Sequence, residues 1–209
     1  MISVKEAYNH WAEQYDTNKN RTRDLEALSL RETLADLHVE HILEIGCGTG
    51  KNTEWLQTIA TQLTAVDLSE EMLAKAKAKI TAPHVKFLQA DILQDWTFAT
   101  QAYDLVTFSL VLEHIEHLDP IFQKLAPICQ PGGHVYIGEL HPFKQYSGTK
   151  ARFETEAGVQ IVPCFDHHIS DFTMAAKRNG FGIVTMQEYF DENDRSTLPR
   201  ILTILLKKI

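Results

Sequence analysis

The alternation of strand-like and helix-like segments limits the possible folds of this chain more than any other feature. From residue 41 onward, short runs of β-branched and apolar residues alternate with longer segments whose apolar positions recur at steps of three and four. The strand-like runs are HILEI, LTAVDL, VKFLQA, YDLVTFSL and GGHVYIGEL, and the predicted helices cover 50–60, 69–80, 117–128 and 168–179. This pattern predicts βαβ units, and therefore an α/β fold with a mostly parallel sheet. The two closing runs, FGIVTMQEY and RILTILLK, have no helix between them, which predicts an antiparallel hairpin at one edge of the sheet.

The remaining segments are predicted to belong to the same domain. A length of 209 residues suits one well-buried α/β domain, so we expect a single domain over 1–209. Residues 1–37 are predicted to form two amphipathic helices, at 3–16 and 22–37. Residues 141–166 fit neither pattern and are predicted to cover one mouth of the sheet. The aromatic residues of this segment are Phe143, Tyr146, Phe153 and Phe165. Their side chains could form a cage for a substrate or, as we favour, a small core that packs the segment against the domain.

Charge and composition exclude several classes of function. The net charge of −8 argues against a nucleic-acid partner, which would favour a basic face. No apolar run approaches the roughly 20 residues that span a membrane, and the polar N-terminus is unlike a signal peptide. Three widely separated cysteines are typical of a reducing compartment and argue against a disulfide framework or a structural zinc site. We therefore expect a soluble, cytoplasmic protein, either a monomer or a homodimer.

Three glycines directly follow the first predicted strand. In an open α/β sheet, ligands bind beyond the carboxyl ends of the strands, and glycine permits the close approach of a ligand to the backbone. The glycines are Gly46, Gly48 and Gly50. Taken alone they could form a tight turn without a ligand, but the next two strands also end in acids. Glycines after the first strand and an acid after each of the next two strands together predict a nucleotide-type ligand.

The two acids have distinct predicted roles. Asp67 ends the second strand, where a carboxylate can accept hydrogen bonds from both hydroxyls of a ribose. Asp91 follows the third strand and could accept a hydrogen bond from the exocyclic amine of adenine. Leu68 and Ile92 are placed to lie on either side of the adenine ring.

The glycine spacing distinguishes between a dinucleotide and another adenosine-containing ligand. The dinucleotide fingerprint is G-x-G-x-x-G, whereas this loop reads G-x-G-x-G and has Lys51 at the last position of the fingerprint. Glu44 also places a carboxylate near the loop, which would repel a pyrophosphate but could serve an ammonium group. S-adenosylmethionine carries both a sulfonium and an α-ammonium group, so it fits better than a nicotinamide dinucleotide.

The motifs ILEIGCGTG, AVDLSEEML, FLQADI, YDLVTFSLVLEHI and PGGHVYI together resemble the class I S-adenosylmethionine-dependent methyltransferases, small-molecule branch. The similarity runs through about residues 1–140 and includes the two closing strands. It implies a Rossmann-like, seven-stranded, mostly parallel sheet with helices on both faces and an antiparallel last strand. It also implies S-adenosylmethionine as the donor and S-adenosylhomocysteine as the product.

The resemblance assigns roles along the donor. It implies that the loop Gly46, Cys47, Gly48 and Gly50 contacts the methionine moiety and ribose, with Ser109 and Leu110 also near the methionine part. It implies that Asp67 binds the ribose hydroxyls and that Asp91 and Ile92 contact the adenine. In the N-terminal lid, the resemblance implies that Tyr15 closes over the donor and that Trp11 packs behind it.

Methyl transfer needs a proton acceptor only when the nucleophile is a hydroxyl or an ammonium group at neutral pH. His141, which follows the fifth strand, and His168, with Asp166 and Asp171 beside it, are the candidate bases. The predicted substrate contacts are Trp11, His114, Tyr146 and His167. The string EHIEH, with His114 and His117, offers plausible metal ligands, but its spacing fits neither HExxH nor HxxEH, so we expect no metal.

The leading hypothesis is an enzyme that methylates a small metabolite at oxygen or nitrogen. A methyltransferase that acts on RNA or protein is one alternative, and the negative net charge and the lid helix weigh against it. A protein that binds S-adenosylmethionine without catalysis is another, and it would require a blocked acceptor pocket. A nicotinamide-dependent oxidoreductase is disfavoured by Lys51 and Glu44.

Overall fold

The computed structural model describes residues 2–17, 19–155 and 158–209. The α-helices in the described residues are α1 (Val4–Trp11), α2 (Arg21–Leu34), α3 (Thr53–Leu56), α4 (Glu70–Lys79), α5 (Leu118–Ile128), α6 (Pro142–Tyr146) and α7 (Ile169–Arg178). The strands are β1 (His41–Ile45), β2 (Gln62–Asp67), β3 (Val85–Gln89), β4 (Tyr103–Ser109), β5 (Cys129–Leu140), β6 (Arg152–Thr155), β7 (Gly158–Ile161), β8 (Phe181–Tyr189) and β9 (Ile201–Lys208). Two short 3₁₀ turns lie at Leu112–His114 and Asp191–Asn193.

Seven strands form one sheet in the order β3-β2-β1-β4-β5-β9-β8. The pairs from β3 to β5 are parallel, whereas β9 runs antiparallel to both of its neighbours, β5 and β8. This confirms the mostly parallel, Rossmann-like sheet with an antiparallel last strand and a hairpin at one edge. The strands β6 and β7 pair separately as a small antiparallel hairpin.

Both faces of the sheet are covered because successive residues of a strand point to opposite faces. In β1, Leu43 packs into a cluster with residues of α5 and α7, while its neighbour Ile42 packs into a second cluster with Leu30 and Leu34 of α2. All four side chains are completely buried. The helices therefore lie on both sides of the sheet, as predicted.

Local signals in the sequence place two helix ends correctly. The Ser69 hydroxyl caps α4 by accepting a hydrogen bond from the Met72 backbone N–H (3.1 Å), and two glutamates follow in the first turn. At the end of α7, Gly180 adopts a positive φ of 81°, which suits a glycine after a helix C-terminus.

Two predicted helices are much shorter than expected, and the helix predicted over 22–37 ends slightly early, at Leu34. The predicted helix over 50–60 is α-helical only in α3, because the backbone bonds that follow it tighten to a three-residue spacing, as in Thr58 N–H to the Trp55 carbonyl. The predicted helix over 3–16 ends at Trp11, and the residues that follow continue as turns.

The segment 141–166 contains α6 and the β6–β7 hairpin. The residue that anchors it in the core is not one of the aromatic residues that were expected to do so. Phe143, Tyr146 and Phe165 are exposed, whereas Val162 is completely buried with Ala7, Trp11 and other residues under α1. The side chain of Phe153 lies outside the described residues. The expectation that the aromatic side chains form a small core is therefore wrong for the three that are described.

Within the described ranges, no helix combines the length and the apolar character needed to cross a membrane.

Candidate active site

A crevice opens where the sheet order reverses, between β1 and β4. The chain leaves β1 toward β2 on one side and leaves β4 toward β5 on the other, so the loops that follow these two strands diverge. Such a switch point is where ligands bind in open α/β sheets. One wall of the crevice is the glycine loop after β1, and the other is the turn that begins at Leu110.

The three glycines of the loop meet different structural needs. All three have positive φ, of 72° at Gly46, 53° at Gly48 and 85° at Gly50. A Cβ atom on Gly46 would lie 2.2 Å from Val111 Cγ2, and one on Gly50 would lie 2.9 Å from Ile80 Cδ1. A Cβ on Gly48 would meet no atom within 4 Å. Close packing therefore requires glycine at positions 46 and 50, whereas the space beside Gly48 is open toward the crevice.

Asp67 fastens the glycine loop to the end of β2. One carboxylate oxygen accepts a hydrogen bond from the Gly48 N–H (2.8 Å), and the other accepts one from the Ser69 N–H (2.8 Å). Burial raises the pKa of the Asp67 carboxyl group, and these backbone bonds oppose that rise. Each carboxylate oxygen can accept a further hydrogen bond, so the group can hold the loop and still bind a ligand.

The first cavity runs from the glycine loop past the ends of β2 and β3. Nine of the residues predicted to lie near the donor line it, namely Tyr15, Gly46, Gly48, Asp67, Leu68, Asp91, Ile92, Ser109 and Leu110. The remaining walls are mainly apolar and include Val66, Ala90 and Ile115. Asp91 accepts a hydrogen bond from the Leu93 N–H (2.9 Å), which fixes its carboxylate at this end of the cavity.

A small recess extends beneath the glycine loop and contains two more predicted donor contacts. Glu44 and Cys47 line it together with Glu26 and Asn52. The Glu44 carboxylate accepts a hydrogen bond from the Thr53 hydroxyl (2.6 Å), and Glu26 accepts one from the Asn52 amide (2.9 Å). Burial, with a contribution from the negative charge of Glu26, raises the pKa of Glu44 to about 8.

Gly50 differs from the prediction. It lines neither the first cavity nor the recess, and its Cα faces Ala76 of α4 and Ile80, which directly follows this helix. The expected contact between Gly50 and the donor is therefore replaced by a packing role against this helix.

The N-terminal segment lines the crevice with aromatic rings that pack against one another. Trp11 and Tyr15 meet edge to face with a centroid distance of 4.9 Å, and the Arg23 guanidinium lies 3.9 Å from the centroid of the Tyr15 ring. Asp16 accepts hydrogen bonds from the Thr49 hydroxyl and from the Lys79 ammonium group, both at 2.6 Å. These contacts tie the segment to the glycine loop and to α4.

His114 lies in the wall of the first cavity, in contact with the lid. Its Nδ1 is 2.8 Å from the Pro163 carbonyl oxygen, and its Nε2 is 2.8 Å from the Tyr8 hydroxyl oxygen. A carbonyl oxygen can only accept, so Nδ1 carries the hydrogen, and in the neutral ring Nε2 accepts from Tyr8. The pair joins α1, the turn after β4 and the segment before α7.

A second cavity, of about 320 Å³, adjoins the first. Tyr8, Tyr15 and Leu110 line both cavities. Leu110 has a φ of 57°, a conformation rare for residues other than glycine, and its N–H donates to the Gly138 carbonyl (2.8 Å). Trp11, one of the predicted substrate contacts, also lines the second cavity.

Two of the predicted histidines lie in structural networks away from both cavities. His141 is fully buried, with Nε2 3.0 Å from a Glu188 carboxylate oxygen and Nδ1 accepting from the Phe143 N–H (3.1 Å). His167 is also buried, and its Nε2 lies 2.8 Å from the Ile115 carbonyl oxygen. Both side chains therefore hold loops in place, and the geometry does not support the prediction of a base at His141 or of a substrate contact at His167.

His168 and Tyr146 contact each other on the surface. The His168 Nδ1 lies 2.5 Å from the Tyr146 hydroxyl, and neither residue lines the first or second cavity. The predicted partners of His168 are also otherwise engaged, because Asp171 accepts from its backbone N–H (2.8 Å) and Asp166 pairs with Lys150. The structure thus does not bring these two predicted residues to the crevice.

Tyr8 and Arg23 are site residues that were not predicted from the sequence. Tyr8 lies three residues before Trp11 on the amphipathic face of α1, which could have indicated it, whereas Arg23 carries no local signal. Among the described residues, no three His, Cys, Asp or Glu side chains converge as metal ligands.

Comparisons with known proteins agree with this geometry. A family model described as a methyltransferase domain matches residues 43–137. A crystal structure from Listeria monocytogenes, assigned to the S-adenosylmethionine-dependent methyltransferases, superposes with a TM-score of 0.76 at 25% identity, covering 89% of this chain and 99% of that one. Residues 43–137 therefore match a methyltransferase domain, and the structural match supports a class I S-adenosylmethionine-dependent methyltransferase.

Two curated relatives extend the comparison. The methyltransferase is 26% identical to an uncharacterized methyltransferase of Emericella nidulans, over 88% of this chain and 78% of the relative. It is 27% identical to the ubiquinone biosynthesis O-methyltransferase of Proteus mirabilis, over 68% of this chain. The aligned part spans 57% of the length of the Proteus mirabilis protein.

Proposed function

We propose that this methyltransferase transfers a methyl group from S-adenosylmethionine to an oxygen or nitrogen of a small metabolite. The donor would occupy the first cavity and the recess, and the acceptor would occupy the second cavity. The observation that carries the proposal is the wall of Tyr8, Tyr15 and Leu110 that the two cavities share. Methyl transfer requires the two reactants to be held in contact and in line, and adjoining cavities provide for that.

The polar groups of the first cavity and the recess fit the parts of the donor. Asp67 retains acceptor capacity for the ribose hydroxyls, and Leu68 and Ile92 offer apolar surfaces for the adenine near Asp91. The buried carboxyls of Glu44 and Glu26 in the recess suit an α-ammonium group. These matches support a donor that lies along the ends of β1, β2 and β3.

The residues of the chain position the reactants and exclude water. S-adenosylmethionine supplies a methyl group that is already activated on a sulfonium, so the protein contributes mainly orientation and a dry site. Tyr8 is held by its hydrogen bond to His114, and Tyr15 is held against Arg23, so the wall between the two cavities is ordered. The Proteus mirabilis relative is named an O-methyltransferase, which favours oxygen over nitrogen as the acceptor atom.

Asp67 provides a test of the donor position. We expect Asp67→Ala to weaken the binding of S-adenosylhomocysteine by about 1.5–3 kcal/mol, roughly ten- to hundredfold, because charge-assisted hydrogen bonds to the ribose are lost. The matched control is Asp104→Ala. Asp104 also accepts two backbone N–H bonds, from Glu40 and His41, but at the amino ends of β1 and β4, away from the crevice.

Both variants should lower the melting temperature, since each removes a carboxylate that holds the backbone. Isothermal titration calorimetry should then show weaker binding only for Asp67→Ala. Equal affinity of Asp67→Ala and the wild type would show that the ribose lies elsewhere.

Glu44 provides a pH-dependent test of the ammonium position. Its pKa of about 8 leaves the donor-free carboxyl group mostly protonated at pH 7. A nearby ammonium group lowers that pKa, so the binding of S-adenosylhomocysteine at pH 7 should release a proton to the buffer. The release should decline as the pH rises above 8, where Glu44 is already ionised.

The measurement is the binding enthalpy in phosphate and in Tris, which have different ionisation enthalpies. The wild type should show a buffer-dependent enthalpy, and Glu44→Gln should lose most of that dependence. A wild-type enthalpy that is the same in both buffers would contradict this position for the ammonium group.

The proposed function itself is tested by methyl transfer from tritiated S-adenosylmethionine. Purified protein is incubated with separated small-molecule, RNA and protein fractions of a bacterial extract. We expect protein-dependent label in the small-molecule fraction. Label in RNA or protein would favour the macromolecular alternative. Tight binding of S-adenosylhomocysteine with no transfer to any fraction would favour a non-catalytic binding protein.

A further inference from the structure

The second cavity concentrates positive charge in an acidic protein. Six of the 20 lysines and arginines line it, although the chain has a net charge of −8. They are Lys19, Arg21, Arg23, Lys150, Arg152 and Arg200. Glu113 is the one carboxyl group among the lining residues that the structure describes, and burial raises its pKa, which reduces its negative charge.

Ion pairs neutralise only part of this charge. Arg200 forms a two-point pair with Asp191, with both N···O distances at 2.6 Å, and Lys150 lies 3.2 Å from Asp166. In the described part of the chain, Lys19, Arg21 and Arg152 have no carboxylate within ion-pair distance. Among the described residues, at least three positive charges therefore remain even if Glu113, Asp166 and Asp191 are all ionised.

The donor does not account for these cations. S-adenosylmethionine carries one carboxylate, and Arg23, which borders both the recess and the second cavity, is placed to serve it. Arg21 and Arg152 line the second cavity but neither the first cavity nor the recess. The uncompensated charge thus lies on the side assigned to the acceptor.

Several parts of the chain bring the cations together. Arg21 begins α2, Lys150 and Arg152 come from the segment before and within β6, and Arg200 immediately precedes β9. Because arginine presents a planar fork of N–H donors, it matches carboxylate and phosphate groups in a two-point geometry. A cavity of about 320 Å³ is at the small end of the range for small-molecule sites.

We propose that the methyl acceptor is a small organic anion whose carboxylate or phosphate-type group is held in the second cavity by Arg21 and Arg152. The inference rests on the proposed function, since it identifies the second cavity as the acceptor site. An RNA phosphate backbone is less well matched, because the cavity is small and the remainder of the protein is acidic.

The test uses the full chain saturated with S-adenosylhomocysteine, titrated with matched anionic and neutral probes. The pairs are succinate with succinamide, and phenyl phosphate with phenol. We expect at least one anion to bind ten times more tightly than its neutral partner, with an affinity that falls as NaCl is raised. The two pairs distinguish a carboxylate from a phosphate site. Equal binding within both pairs, or no binding of either anion at millimolar concentration, would overturn the proposal.

Substitutions at the lining arginines test whether the preference for anions arises in the second cavity. The double variant Arg21→Gln/Arg152→Gln should weaken anion binding at least tenfold and leave the affinity for S-adenosylhomocysteine unchanged. Arg31→Gln, on an exposed position of the same helix as Arg21 and outside the second cavity, should bind the anion like the wild type. Wild-type anion affinity in the double variant would overturn the proposal.

Two further outcomes separate the inference from the function on which it rests. Failure of the wild type to bind S-adenosylhomocysteine would contradict the proposed function as well. Intact S-adenosylhomocysteine binding without a preference for anions would contradict only the inference. Tighter binding of a single-stranded RNA oligonucleotide than of either small anion, dependent on Arg21 and Arg152, would also overturn the proposal.

Discussion

Two carboxyl groups, each reaching from one strand to the loop of the neighbouring strand, determine the shape of the crevice. Asp67, at the end of β2, accepts the Gly48 N–H of the loop after β1. Glu139, near the end of β5, accepts the backbone N–H groups of Val111 (3.0 Å) and Leu112 (2.8 Å) in the turn after β4. Buried backbone groups without partners are costly. These side chains therefore fix both walls of the crevice where the sheet order reverses.

The remainder of the site is built on these two walls. With the glycine loop fixed, Thr49 can donate to Asp16 and so hold the lid segment, and with the turn after β4 fixed, His114 can meet Tyr8. The turn also holds Leu110 at a positive φ, on the wall shared by the two cavities. Strained backbone of this kind persists where the surroundings over-determine it. The two cavities thus depend on the same small set of backbone contacts.

The sequence predicted those features that depend on neighbouring residues. The mostly parallel sheet and its antiparallel last strand followed from the alternation of elements and the family resemblance, and the structure confirms them. The cap at Ser69 and the location of Asp67 at a strand end depend on a few adjacent residues, so the sequence contained the information. The lengths of the helix after the glycine loop and of the first helix were overestimated, because backbone bonding at their ends departs from the α-helical spacing.

The acceptor side could not be predicted in the same way. His141 does follow the fifth strand, but its ring turns toward Glu188 of the edge strand, and no local pattern specifies that direction. The cations of the second cavity come from residues as far apart in sequence as Lys19 and Arg200, so only the folded chain brings them together. Phe143 and Tyr146 were expected to pack inward, whereas Val162 fills the buried position beneath α1.

In the proposed function the two cavities form one site, with the donor sulfur facing the shared wall. A crystal structure of the complex with S-adenosylhomocysteine tests it most directly. We expect ribose hydroxyl oxygens within hydrogen-bonding distance of the Asp67 carboxylate, and a sulfur atom that faces the second cavity beside Tyr8 and Leu110. An adenosine bound away from Asp67, or a sulfur atom that faces away from the second cavity, would contradict it.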